Sequence, residues 1–162
     1  MKITFSLLCV GVASLLAGCA SPSVTLPPVG PNPNGIQTAS SIGFLQVLSR
    51  ERTRSDDQNQ AGDGEPVWHQ HTNYRIYDLH GHLVKRVDNA AGHYAESAEV
   101  VPLEPGKYVV KAPANDYPWI QVMVRIEPGR TTRVHLDDKW TPSAAPGEVV
   151  TMPDGNPAGW HN

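Results

Sequence analysis

The sequence predicts an all-β fold, a small antiparallel β-sandwich of about seven strands. Between residues 42 and 138, apolar and polar residues alternate with a period of two, the spacing of a strand that buries one face. Turn signals that contain glycine or proline separate the alternating segments. No segment of this region keeps the period of an amphipathic helix, so the strands are expected to pack on one another.

The first predicted strand covers residues 42–49. Gly43, Leu45 and Val47 point to one face, and the other face is also partly apolar, so we expect this strand to lie well inside a sheet. The polar residues 50–66 follow it, and a loop of that length is either functional or disordered.

A hairpin is predicted next. Residues 68–78 alternate as one continuous strand. Asp78 and Gly81 then occupy the first and fourth positions of a type I turn with a glycine bulge, and residues 82–88 form the returning strand. The register that this turn sets pairs Asp78 with His82.

Two Pro-Gly turns, at Pro105-Gly106 and Pro128-Gly129, organise the second half of the domain. The strands that they separate are predicted at residues 99–103, 108–112, 120–126 and 131–136. The side chains expected to face the core are those of Val110, Ile120, Val122, Val124, Ile126, Val134 and Leu136.

Residues 1–18 have the layout of a secretory signal peptide, with a lysine at the second position and an apolar run after it. The run is about 14 residues long, too short to span a bilayer as a helix. It ends in Leu16-Ala17-Gly18-Cys19, which resembles the lipobox of bacterial lipoproteins. The resemblance implies that the chain is cut between Gly18 and Cys19 and that Cys19 then carries a diacylglycerol and a further acyl chain.

The residues after the motif bear on the destination. Ala20 and Ser21 follow Cys19, and no aspartate of the inner-membrane retention type stands there. By the same resemblance, we expect a lipid-anchored protein of the outer membrane.

Composition divides the rest of the chain into three parts. Residues 19–41 carry five prolines and predict a flexible, extended tether. Residues 42–138 form the sandwich, and residues 139–162 form a Pro/Gly-rich C-terminal tail, which could add one more strand. We expect Trp140, Trp160 or both to dock on the domain, because an exposed tryptophan is costly.

Charge and cysteine count exclude several function classes. Without its first 18 residues the chain has a formal charge of 12 − 16 = −4, which gives no reason to expect nucleic acid as a partner. The cysteines are Cys9, which leaves with the signal peptide, and Cys19. A cysteine nucleophile, a cysteine-ligated zinc site and a thiol redox centre are therefore excluded from the mature domain.

Two segments, residues 101–112 (VPLEPGKYVVKA) and 126–136 (IEPGRTTRVHL), resemble the small sandwiches of the carboxypeptidase regulatory-like and PEGA type. The resemblance covers about residues 42–138 and implies an Ig-like or prealbumin-like fold. It also implies a non-catalytic module on an exported protein.

Histidines form the candidate metal site. His69 and His71 are two residues apart on a predicted strand, which aims both side chains at one face. The predicted hairpin register can bring His93 beside them. Three imidazoles would suit Zn or Cu(II), with a water or carboxylate completing the shell. The alternative is that these histidines lie on a solvent-facing strand.

Outward-facing aromatic residues form a candidate partner surface. Tyr117, Trp119 and Met123 could stack a sugar ring or contact another envelope protein. The alternative is that the C-terminal tail covers them.

The predicted function is that of an envelope-anchored lipoprotein with a non-catalytic binding or structural β-sandwich, without a cofactor. No nucleophile elbow, His-Glu-x-x-His helix or phosphate-binding glycine loop occurs in the sequence, which argues against an enzyme. Two alternatives stay open: a periplasmic or surface metal-binding protein that uses His69, His71 and His93, and an enzyme whose site the sequence does not reveal.

Replacing Cys19 with alanine is expected to move the protein from the membrane pellet to the soluble fraction, because stable anchoring needs more than one acyl chain and Cys19 would carry them all. Fractionation followed by immunoblotting checks this. A C19A protein that still pellets with membranes contradicts the lipobox interpretation; a C9A protein, still anchored, is the control.

Overall fold

The computed structural model describes residues 23–55, 67–90, 96–145 and 147–162. It has twelve strands and no helix in these ranges, so they contain no helical segment that could cross a membrane. The all-β, sandwich-like fold predicted from the sequence is confirmed. The predicted signal peptide, with Gly18 and Cys19, lies outside the described residues.

The strands are β1 (Val24–Gly30), β2 (Gly43–Leu48), β3 (Glu51–Ser55), β4 (Val67–His71), β5 (Tyr74–Tyr77), β6 (Leu83–Val87), β7 (Val100–Leu103), β8 (Gly106–Ala112), β9 (Ile120–Ile126), β10 (Thr131–His135), β11 (Val149–Thr151) and β12 (Pro157–His161). A large sheet has the order β11-β12-β1-β9-β8-β5-β6, and a small sheet has the order β10-β2-β7. β3 and β4 form a separate hairpin. The sequence predicted about seven of these strands.

The two sheets pack face to face around one core, with β10 against β12, β1 and β9. Gly159 of β12 allows the close approach: a Cβ there would lie 2.5 Å from Val29 and 3.1 Å from the carbonyl oxygen of Arg133. All the side chains predicted to face the core are buried. The core therefore forms where the alternation of apolar residues was most regular.

The Pro-Gly turns carry the chain from one sheet to the other. β7 pairs with β2 in the small sheet whereas β8 lies in the large one, and β9 and β10 are divided in the same way. Gly129 has a φ of 69°, and a side chain there would collide with the carbonyl oxygen of Thr38. The predicted turns are present, but they act as corners of the sandwich.

The pairing is mixed rather than purely antiparallel. β1 runs parallel to β9, and β10 runs parallel to β2. Parallel neighbours require a long connection between them, and here the intervening chain crosses the sandwich. Antiparallel pairing was predicted from strands adjacent in the sequence, whereas the parallel pairs join strands that are distant in the sequence.

The predicted tether at residues 19–41 is wrong for the part that the structure describes. β1 lies between β9 and β12 in the large sheet, with Leu26 and Val29 buried. Beyond β1, the amide of Thr38 donates to the carbonyl of Gly129 at 2.8 Å. The tether was predicted because of its prolines. A strand can accommodate Pro27 and Pro28 here, because the β1–β9 register is irregular between Leu26 and Val29.

The predicted tail at residues 139–162 also needs correction. β11 and β12 form a hairpin that completes the large sheet, with Gly155 at a φ of 92° in its turn. The additional strand expected in this region is therefore present. Trp140 stacks on His135 with ring centroids 4.4 Å apart and meets Trp160 edge-on at 5.6 Å, which confirms that the tryptophans dock.

The predicted strand at residues 68–78 is broken in two. β4 pairs with β3, inside the segment expected to be a loop, whereas β5 pairs with β6 and β8. The turn after Asp78 forms as predicted, with Gly81 at a φ of 85°. An irregularity after Ile76 then shifts the expected register by one residue, because Ile76 pairs with Lys85.

Replacing Leu26 with alanine is expected to lower the free energy of unfolding by about 2 to 5 kcal/mol, because it leaves a cavity between the sheets. Ile36 lies in the same predicted tether but is 89% exposed, so Ile36→Ala is the matched control, with a change within about 0.5 kcal/mol. Urea unfolding of the chain from residue 20 measures both. Equal stabilities of the two variants would contradict the packing of β1 in the large sheet and would support a flexible tether at residues 19–41.

Candidate functional site

The site begins at Ser49, where the chain leaves β2. Ser49 is fully buried. Its carbonyl oxygen accepts a hydrogen bond of 2.8 Å from Nδ1 of His71, and its hydroxyl donates one of 2.5 Å to the carbonyl of Thr72. The Thr72 amide donates to the carbonyl of Arg50 at 2.9 Å. These bonds fix the end of β4 against the end of β2.

Asn89, also buried, ties the next strands to the same point. Its Nδ2 donates to the carbonyl of Val47 at 2.8 Å and to the hydroxyl of Ser49 at 3.2 Å. Its Oδ1 accepts a bond of 2.8 Å from the amide of Glu99. The side chain therefore uses both ends of its amide inside the protein, as a buried asparagine must.

The β3–β4 hairpin turns alternate side chains to opposite faces. Glu51 pairs with His71, and Arg52 pairs with Gln70. Because paired residues share a face, the first pair lies on one side of the hairpin and the second on the other.

Asp137 joins the first pair. One carboxylate oxygen of Glu51, one of Asp137 and one ring nitrogen of His71 all lie within 4.8 Å of one another. The alignment of β10 with β2 puts Asp137 there, since the amide of Leu136 donates to the carbonyl of Leu48 at 2.7 Å. We call these three residues the His71 cluster.

Asp137 is the most constrained member of the cluster. It is 4% exposed, and its Oδ1 is buried without a hydrogen-bond partner among the described residues. Burial raises the pKa of Asp137, against smaller opposing effects from two backbone amides and from His71. The cost of burying this carboxyl group is therefore only partly offset by its hydrogen bonds and by His71.

Glu51 has a different environment. Both of its carboxylate oxygens contact Nζ of Lys139, at 2.6 and 2.8 Å, and Nδ1 of His69 lies 3.6 Å from one of them. Asp138, at a φ of 59°, turns the chain between Asp137 and Lys139. Lys139 is 59% exposed, so this ion pair is solvent-accessible and contributes at most about 1 kcal/mol.

His135 lies beside the cluster and is uncharged. Burial, followed by the charges of Arg133 and His71, lowers the pKa of His135 to about 4. Its ring is covered by Trp140. His135 therefore contributes no positive charge near Asp137 at neutral pH.

A groove of about 720 Å³ lies beside the hairpin. Its lining includes Arg50, Arg52, Gln70, Asn73, Asp88 and Trp119, and His71 borders it as well. Trp119 is 40% exposed and also lines a smaller cavity of about 290 Å³. The guanidinium groups of Arg50 and Arg52 form no ion pair with any described residue. We call this feature the Trp119 groove.

The predicted metal set is brought together only in part. His71 is buried in the cluster, whereas His69 is exposed at its edge. The expected position of His93 relied on β4 pairing with the returning strand, and β4 pairs with β3 instead. His93 itself lies outside the described residues. Among the described residues, the carboxylates of Glu51 and Asp137 lie next to His71.

The predicted partner surface is also divided. Trp119 faces the groove, but Tyr117 packs against the core and Met123 is half-buried in the middle of β9. The three residues do not line one cavity. Trp119 is thus the member available to a ligand.

Ser49, His71 and Asp137 have the residue types of a hydrolase triad without its geometry. The hydroxyl of Ser49 donates its proton to a carbonyl and has no access to solvent, and His71 contacts the backbone of Ser49 rather than that hydroxyl. Nucleophilic attack by Ser49 is not feasible in this arrangement.

Sequence reasoning missed Glu51 and Asp137, which are 137 − 51 = 86 residues apart. One signal was available for Asp137, since it directly follows a strongly predicted strand. None was available for Glu51, inside a segment interpreted as a loop.

Comparison of the chain with models of known protein families, with curated proteins and with solved structures finds no match.

Proposed function

We propose that this protein is an exported, lipid-anchored protein of the outer membrane and that its β-sandwich is a non-catalytic module that binds acidic sugars in the Trp119 groove. The observation that carries the binding role is an exposed tryptophan that lines the same groove as two arginines, which form no ion pair with a described residue.

The chemistry of the groove fits this ligand class. An exposed indole offers an apolar surface on which a sugar ring can stack. Arg50 and Arg52 can bind a carboxylate through paired N–H donors. Gln70 and Asn73 add amide groups that can bind hydroxyls. A carboxylate on the sugar would add charge-assisted hydrogen bonds to these arginines that a neutral sugar cannot form, so the groove favours an acidic sugar.

The proposed address is supported by the lipobox resemblance at Cys19. β1 begins at Val24, so only residues 20–23 separate the lipidated cysteine from the sheet. A fully extended chain covers at most about 18 Å over that distance. The domain would therefore stay close to the membrane surface, within reach of the glycans attached there.

A non-catalytic role is supported by the buried hydroxyl of Ser49 and by the resemblance to carboxypeptidase regulatory-like and PEGA sandwiches. A sandwich with a binding groove and no activated nucleophile at its polar cluster is suited to adhesion or scaffolding at the envelope.

Calorimetric titration with a polygalacturonate oligomer is expected to show binding that a neutral oligosaccharide of equal length does not. Trp119→Ala should weaken it roughly tenfold or more, because the stacking surface is lost. Arg52→Gln should weaken binding of the acidic oligomer and reduce its dependence on salt.

Arg133→Gln is the matched control, because Arg133 is an exposed arginine that does not line the groove. Binding that survives Trp119→Ala, or an Arg52→Gln variant that behaves as Arg133→Gln does, contradicts the proposed function.

A further inference from the structure

The donor atoms of the His71 cluster have the composition of a metal site. Glu51 and Asp137 each offer a carboxylate oxygen and His71 offers a ring nitrogen, all within 4.8 Å of one another. Tetrahedral Zn²⁺, with bonds of about 2.0 to 2.2 Å, holds its ligands roughly 3.5 Å apart. Glu51 stands at the exposed edge of the cluster and could close this gap by side-chain rotation.

His71 already has the support that metal-ligating histidines usually have. Its Nδ1 lies 2.8 Å from the carbonyl oxygen of Ser49. A carbonyl can only accept, so Nδ1 carries the proton and the neutral ring has its lone pair on Nε2. A bond from the second ring nitrogen to a backbone carbonyl fixes both the tautomer and the ring orientation.

Asp137 supplies an independent observation. Its Oδ1 is buried and finds no hydrogen-bond partner among the residues that the structure describes. Lys139 pairs with Glu51, and no described cation forms an ion pair with Asp137. Leaving a buried carboxylate oxygen without a partner costs free energy, and a divalent cation would bind this oxygen and one from Glu51 at once.

We infer that the His71 cluster binds a divalent transition-metal ion, with Zn²⁺ the best match, through His71, Asp137 and Glu51. One nitrogen and two oxygen donors suit Zn²⁺, and a water molecule completes the tetrahedron. Glu51 exchanges its contact with Lys139 for the metal, so Lys139 competes with the ion. This site is independent of sugar binding in the Trp119 groove.

The test is calorimetric titration with Zn²⁺, at about pH 7.5, of the chain from residue 20, which lacks the predicted signal peptide and Cys19. We expect one ion per chain with a Kd below about 10 μM, and a higher melting temperature with the ion bound. Glu51→Gln should weaken binding at least tenfold. Lys139→Met should strengthen it, because the competing cation is gone, which a general loss of structure does not produce.

The Asp137→Asn variant distinguishes loss of a metal ligand from loss of the folded structure. It removes the buried charge, so the metal-free protein should melt no lower than the unaltered chain, while the zinc-dependent rise in melting temperature disappears. His82→Ala and Glu99→Gln, whose exposed side chains are not members of the cluster, are the controls and should bind as the unaltered chain does.

Three results would overturn the inference. They are the absence of binding by the unaltered chain, binding that Glu51→Gln and Asp137→Asn leave unchanged, and weaker binding by Lys139→Met than by the unaltered chain.

Discussion

The hydrogen bond from His71 to the carbonyl of Ser49 is the interaction on which the site depends. At Ser49 the chain leaves the small sheet, and a buried carbonyl there would cost about 1 to 3 kcal/mol if it had no partner. His71 provides that partner from β4, and the hydroxyl of Ser49 fixes the neighbouring Thr72. The β3–β4 hairpin is thereby held with one face toward Asp137, and its Arg52 lines the same groove as Trp119.

The sandwich holds the contact between Ser49 and His71 in place, because strands from the N-terminal and C-terminal parts of the chain complete its large sheet. β1 is the shared neighbour of β9 and β12, so the N-terminal and C-terminal segments stabilise each other. The large sheet also places the proposed lipid anchor only a few residues from a central strand. A domain held in this way would move with the membrane, and its groove would sample nearby ligands.

The buried core could be predicted from the sequence, but the contacts around Ser49 and His71 could not. Residues 120–126 alternate strictly, so the burial of Val122 and Val124 could be predicted from a period of two. Val24–Gly30 is a strand of the same sheet, but its burial pattern is irregular between Leu26 and Val29, and its two prolines pointed to a tether. Glu51 and Asp137 could not be assigned together, because their contact depends on the parallel pairing of β10 with β2, and adjacent-strand reasoning does not reach such pairs. The strand that carries His71 was predicted, but its predicted partner, the strand that returns from the turn at Asp78, was wrong, because β4 pairs with β3.

The most direct test is ¹⁵N NMR of the histidine rings in the metal-free protein, with His71 assigned by comparison with a His71→Gln spectrum. Since the carbonyl of Ser49 can only accept, the neutral ring of His71 must carry its proton on Nδ1. The expected result is that the neutral ring has a protonated Nδ1 and an unprotonated Nε2. A ring protonated on Nε2, or one that exchanges between tautomers as a solvent-exposed histidine does, would contradict the account.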